Sequence, residues 1–298
     1  MPLDQIDIEM DGRTAASGKE MTFLEHLEEL RMHIIRALTA VVLLMIVAFI
    51  FHDWVFDYII FGPTHPDFLS YRVFCNMSHM LGLGDAMCMV PPQFEKIAVG
   101  FGEPFIISIK ASFVLGLIVA FPYVFYELWS FVRPGLYEAE VRATRGVVLI
   151  CSVLFLLGVM FGYFVIAPFA INFLMGYSIP GVTNTPTLSS YINYMVMFTA
   201  PAGLIFELPI VVYFLAKVGL VSASGMRYYR RHAIVGILLL AAVLTPPDVV
   251  TQFLIGVPLY FLYELSIFIA LREERRAAQR EQEELLALSR MEEKVKHR

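Results

Sequence analysis

The chain has 298 residues, of which 58% are hydrophobic and only 16% charged, with a formal net charge of -5 and a mean hydropathy of +0.69. Such a composition is far from the soluble average: a water-facing globular domain would leave too much apolar surface unexplained, and no basic footprint of a nucleic-acid-binding protein is visible. The acidic residues sit mostly in the tails and the first long loop, so the net charge itself says little about partners.

Residues 1–20 read as a flexible tail. From Met21 the pattern changes: Thr22 followed by Glu25 is a capping-box spacing, and Phe23, Leu24, Leu27, Leu30 and Ile34 recur at helical intervals. An amphipathic helix is predicted over 21–33, with Glu25, Glu28 and Glu29 on its polar face and Arg31 just beyond. It feeds an apolar run at 34–51 that is too long and too poorly flanked for a cleavable secretion signal. The segment 52–104 then carries Cys75 and Cys88, for which a disulfide is predicted if the loop faces an oxidising compartment; two reduced thiols packed in the loop are the alternative.

Further apolar runs follow at 105–126, 147–170, 192–216, 233–244 and 249–271. The fifth holds only about a dozen residues, too few at about 1.5 Å per residue to cross roughly 30 Å of hydrocarbon. It is expected to be re-entrant, sheltered by neighbours or matched by local thinning, and Thr245-Pro246-Pro247-Asp248 turns it straight into the sixth. Pro122, Pro168, Pro201, Pro209 and Pro258 are expected to bend their helices. Gly158 and Gly162 form a small-xxx-small pair that reads as close packing within the chain rather than dimerisation. No internal repeat is visible, and 272–298 mixes both charge signs at helical spacing, as a solvated helix or tail does.

Basic residues crowd alternate gaps: Arg13, Lys19 and Arg31 before the first run, Arg133, Arg142 and Arg145 between the second and third, Lys217, Arg227, Arg230 and Arg231 between the fourth and fifth, and a cluster from Arg272 onward. The other gaps hold almost none, with only Arg72 and Lys96 between His52 and Pro104. The positive-inside bias therefore predicts an all-α integral membrane protein of six transmembrane helices, both termini cytoplasmic, its proline-bent helices forming a curved bundle. Residues 21–271 form the membrane domain on this reading.

Charged residues within spans are costly, about 2.5–3.5 kcal/mol at mid-bilayer, so Glu207, Glu264 and Lys110 stand out. Glu207 reads as a neutral carboxyl, as a partner of Lys110, as a docking point for another protein's helix, or as a group satisfied internally. No catalytic residue, cofactor or metal is expected: His26, His33, His52, His65, His79, His232 and His297 lie outside the spans or at their edges, H-E-x-x-H spacing is missing, and no P-loop is present. A proton-coupled small-solute transporter using Glu207, Glu264 and Lys110 as a relay is the alternative to a protein that recognises other proteins.

Three motifs in register, covering about residues 21–270, carry a family resemblance. Phe23-Leu24-Glu25-His26-Leu27-Glu28-Glu29-Leu30-Arg31 resembles the amino-terminal signature of TatC, the multi-span subunit of the twin-arginine protein translocase. The run from Trp129 to Glu140 resembles that family's first cytoplasmic loop, and Leu244-Thr245-Pro246-Pro247-Asp248 with Gln252 its turn between the fifth and sixth spans. The resemblance implies a receptor in the bacterial inner membrane for twin-arginine signal peptides, exporting folded proteins with the proton-motive force. Glu29, Arg31, Phe131 and Glu140 would bind the signal peptide. Glu207, Thr245 and Gln252 would dock the helices of single-span partners of the TatA and TatB type, and the chain would form homo-oligomers within the complex.

The chemistry agrees with these assignments: carboxylates match the planar guanidinium fork bidentately, and an aromatic ring stacks on it. Taken without the resemblance, Glu29 reads as the solvated face of a helix and Glu140 as a surface partner of Arg142 or Arg145. His33 stands where the family often has a second basic residue. The first outer loop is longer than expected for the family, and the tail after Leu271 is extra.

Overall fold

The structure, a computed structural model, describes residues 23–82, 84–85, 88–89, 97–132, 146–177, 179–181, 185–244 and 249–296. The described part is all-helical apart from one isolated bridge pairing Ile97 with Thr187. The helices are α1 (Phe23–Ile50), α2 (Leu69–Met80), α3 (Glu103–Val132), α4 (Val147–Gly176), α5 (Leu188–Lys217), α6 (Ala223–Tyr228), α7 (Arg230–Leu244) and α8 (Val249–Lys296). Among the described residues, five helices are long and apolar enough to cross a membrane: α1, α3, α4, α5 and α8. The sixth candidate, α7, has 15 residues, or roughly 22 Å of length, short of a full hydrocarbon crossing.

The amphipathic segment and the first apolar run are one continuous helix, because nothing between Leu30 and Ile50 breaks the backbone ladder. α1 lies along α3 at close range. A Cβ on Gly116 would stand 2.7 Å from the Met45 backbone nitrogen, so glycine is what lets the two helices touch. Gly158 in α4 does the same against α5, where a Cβ would stand 2.6 Å from the Ala202 carbonyl oxygen. Gly162 faces Thr199 and Ala202 of the same helix, so the glycine pair serves packing within the chain.

Prolines interrupt the helices in two distinct ways. Pro168 lacks the N–H that would bond the turn before it, and the preceding segment Gly162–Ile166 opens into a π-helical turn that carries the chain on without a break. Pro209 acts in the other way, on α5, whose ladder stops at Glu207 and restarts with Leu208. The connection from α1 to α3 folds back over one end of the bundle, where the hydroxyls of Tyr71, Tyr163 and Tyr191 donate to the carbonyls of Pro63 (2.6 Å), Ile59 (2.5 Å) and Ile60 (2.7 Å). Burial pushes the Tyr71 phenol up to about 12, so this donor stays protonated at physiological pH. In that connection Cys75 and Cys88 are joined by a disulfide, with Cα atoms 4.3 Å apart.

The buried core gathers Ile107, Ile166, Ile192, Phe198, Ala202 and Ile255 from α3, α4, α5 and α8. Much of the rest of the apolar surface is exposed, as at Ile34, Leu38, Leu43, Ile46 and Ile50 along α1. That is far more contiguous apolar surface than a soluble monomer carries. The last helix runs unbroken to Lys296, with an exposed, charged second half.

Candidate functional site

The start of α1 and the end of α3 run side by side in opposite directions and enclose a groove of about 300 Å³. Leu30, Ile34 and Leu38 form one wall, Leu128 and Phe131 the other, with His33 and Glu127 as polar groups inside. His33 Nδ1 lies 2.5 Å from Glu127 Oε2, and Glu127 is 4% exposed. The Phe131 ring stacks on His26 at 4.5 Å between centroids and meets His33 edge-on at 6.2 Å. His26 and His33 are seven positions apart, so both lie on the α1 face turned toward α3.

Glu29 stands between these histidines, three and four positions from them. Its Oε2 is buried and has no hydrogen-bond partner among the described residues. A buried acceptor left unpaired costs about 1–3 kcal/mol, more when charged, so a donor reaching this point gains correspondingly. Arg31 projects to the exposed side of the helix. The structure thus places Glu29 and Phe131 at the same end of the molecule, while Glu140 lies outside the described residues.

Sequence reasoning missed Glu127, and His33 was read only as a departure from a pattern. One signal was available: Glu127 is a lone carboxylate at the end of an apolar run, four residues before Phe131 and therefore on its face.

The other singled-out polar residues fall into separate clusters. Glu207, at the break in α5, sits beside the Cys151 thiol, and both carboxyl oxygens are buried without a hydrogen bond of ordinary geometry. Lys110 donates instead to Asn193 Oδ1 on α5, which removes it as the partner of Glu207. Glu264 accepts from Arg230 at 2.6 Å and from the Tyr260 hydroxyl at 2.8 Å. Lys110, Glu207 and Glu264 therefore have different neighbours, and among the described residues no hydrogen bond links them into a relay. Gln252 Nε2 donates to the Leu238 carbonyl at 3.1 Å and ties α8 to α7. Thr245 lies outside the described residues.

Long apolar helices, a carboxylate at a helix break and an aromatic-lined groove at one end define a polytopic helical membrane protein. Residues 25–258 match the family described as Sec-independent protein translocase protein (TatC). The TatC protein of Blattabacterium sp. subsp. Periplaneta americana is 36% identical over 257 residues, 84% of this chain and 95% of that one. That of Aquifex aeolicus is 34% identical, over 84% of this chain and 94% of its own. Two crystal structures described as the twin arginine translocase receptor TatC superpose with TM-scores of 0.62 and 0.64, at 32% and 33% identity. They cover 84% and 83% of this chain and 100% and 99% of theirs. The chain belongs to the TatC family and is a component of the Sec-independent protein translocase.

Proposed function

We propose that this protein is the membrane receptor and core subunit of a twin-arginine translocase, binding signal peptides at its cytoplasmic face and exporting folded proteins with the proton-motive force. The observation that carries this reading is the unpartnered, buried Glu29 oxygen beside the aromatic groove closed by Phe131. A guanidinium supplies two parallel donors to one carboxylate, whereas an ammonium supplies a point charge, so a fixed carboxylate selects arginine by geometry. Glu140 would supply the second carboxylate and Arg31 would orient the pair. The apolar walls of the groove would take the hydrophobic side chains that follow the arginines.

In this reading α1, α3, α4, α5, α7 and α8 are six crossings of the bacterial inner membrane with both termini cytoplasmic. Residues 21–271 form the membrane domain, flanked by a tail at 1–20 and a charged extension at 272–298. Arg230, Glu264 and Tyr260 would help anchor the short α7, and α5 and α8 would shelter it. Glu207, Thr245 and Gln252 would dock single-span TatA- and TatB-type subunits, since a carboxyl in apolar surroundings with only a thiol beside it gains from a cross-helix hydrogen bond. Homo-oligomers of this chain would form within the complex.

Site-specific photocrosslinking tests the assignment. A photoreactive residue at position 29 or 131, in membranes containing the full chain, should capture a twin-arginine signal peptide, while one at the exposed position 204 on α5 should not. Capture at 204 with none at 29 and 131 would overturn the groove.

A further inference from the structure

We propose that the connection between α1 and α3 holds a second kind of site, a tetrahedral Zn²⁺ site that replaces the Cys75–Cys88 disulfide under reducing conditions. It goes beyond the receptor reading, because this connection takes no part in the groove described above. Cys75 and His79 are one turn apart on α2 and share a face. The chain then reverses through Gly82 and Gly84, both at positive φ (70° and 59°), with the Ser78 hydroxyl donating to the Gly84 carbonyl at 2.6 Å. That turn brings Asp85 and Cys88 back over the helix. The result is the spacing Cys75-x₃-His79-x₅-Asp85-x₂-Cys88.

Two of the distances among these four residues are close to those of a coordination shell. Cys88 Sγ is 3.7 Å from His79 Nε2, and His79 Nε2 is 3.4 Å from Asp85 Oδ1. Metal-ligand lengths of about 2.3 Å for sulfur and about 2.0–2.2 Å for nitrogen and oxygen, at tetrahedral angles, require ligand separations of roughly 3.6 Å for S···N and roughly 3.4 Å for N···O. Both edges are in place. The candidate ligand atoms of Cys75, His79 and Cys88 all lie within 4.8 Å of one another. Two changes remain: the sulfurs must part to roughly 3.8 Å when their bond is broken, and the Asp85 carboxylate, which approaches His79 but stands outside that mutually close group, must close on the sulfurs.

The chemistry balances with a dithiol reductant. Two electrons and two protons pass to Cys75 and Cys88 as the reductant closes its own disulfide, and Zn²⁺ then displaces the two thiol protons to solvent. Two thiolates, an imidazole and a carboxylate form a set that favours a borderline-soft divalent ion over Ca²⁺ or Mg²⁺. The connection is cross-linked in either state, by a covalent bond when oxidised and by the metal when reduced.

The test uses the purified full-length protein in detergent, reduced, freed of reductant under anaerobic conditions and titrated with Co²⁺ as the spectroscopic probe for Zn²⁺. The reduced chain should take up one equivalent, with a thiolate-to-cobalt charge-transfer band and the visible bands of a tetrahedral ion; the oxidised chain should show neither. Added Zn²⁺ should abolish both signals and protect the two thiols from alkylation. His79 and Asp85 are exposed, so their substitution leaves the fold intact, and closure of the disulfide in each oxidised variant verifies this. His79→Ala should weaken Co²⁺ binding by at least roughly a hundredfold and Asp85→Ala by about tenfold. A reduced chain that gives no charge-transfer band, or a site whose affinity is the same in both variants as in the parent, would overturn the proposal. Signal-peptide binding is unaffected in either case, so the outcome stands apart from that of the receptor reading.

Discussion

Glu29 Oε2 and Glu127 Oε2 lie at the same end of the molecule, yet the second is bonded to His33 and the first has no partner among the described residues. Glu127 therefore serves the shape of the groove, holding the α1 and α3 backbones in register, while Glu29 offers an open acceptor. Phe131 contributes a ring already stacked on His26, and a guanidinium would compete for that face with a gain of about 0.5–2 kcal/mol. Phe131→Leu keeps an apolar wall and loses the ring; it should weaken twin-arginine peptide binding by about three- to tenfold, read by anisotropy of a labelled peptide. Phe131→Tyr should restore it, and a leucine variant binding as tightly as the parent would remove the ring from the account. Glu29, Arg31 and Phe131 could be singled out in the sequence because they sit within contiguous motifs, and their binding role is a proposal. The His33–Glu127 pair was not, since 94 residues separate its members and only tertiary packing of α1 on α3 joins them.

Periodicity and apolar length made the long helices visible, but not where they end or deform. The apolar run assigned to 105–126 continues as helix to Val132, because Glu127 and Trp129 are no obstacle to the backbone ladder once their side chains are packed. Pro168 and Pro209 signalled bends, and the structure resolves them into different devices, a π-helical turn before one and a broken ladder before the other. α2 was not foreseen in the sequence, because Tyr71, Phe74, Cys75 and Ser78, which recur at helical spacing on its inner face, form a stripe of mixed chemistry; Phe74 meets Phe169 at 4.8 Å, and the Tyr71 hydroxyl and the disulfide complete the hold. At this scale the packing of α4 on α5 depends on glycine. Gly158→Val would force a side chain into the Ala202 and Gly203 backbone, and overpacking of this kind costs about 1–3 kcal/mol. The unfolding midpoint in detergent should fall accordingly, while Gly176→Ala, with open space around it, should leave it unchanged. Equal midpoints for the two variants would mean that the helices separate more readily than their contact suggests.

Across the whole molecule, polar groups concentrate at the ends of the helices and the exposed middle is apolar. The conspicuous intramembrane carboxylate, Glu207, sits where α5 breaks. An apolar cavity of about 220 Å³ opens among α3, α4 and α5, lined by Ala111, Leu115, Met160 and Thr199. It has no charged group and so offers nothing to a guanidinium. In the proposed reading a basic signal is therefore read at the end where Glu29 lies. Charge bias in the sequence assigned that end to the cytoplasm, and the arrangement of helices is compatible with it, because the ends of α3 and α5 and the starts of α1, α4 and α7 alternate as antiparallel neighbours must. The central claim is that a fixed carboxylate reads the guanidinium fork. Its most direct test is the affinity of the full chain, in detergent or membranes, for a twin-arginine signal peptide and its twin-lysine counterpart. The parent should prefer arginine, and Glu29→Ala should lose about ten- to a hundredfold of the twin-arginine affinity with little change for twin-lysine, erasing the preference. An unchanged twin-arginine affinity in Glu29→Ala, with the preference intact, would contradict the account.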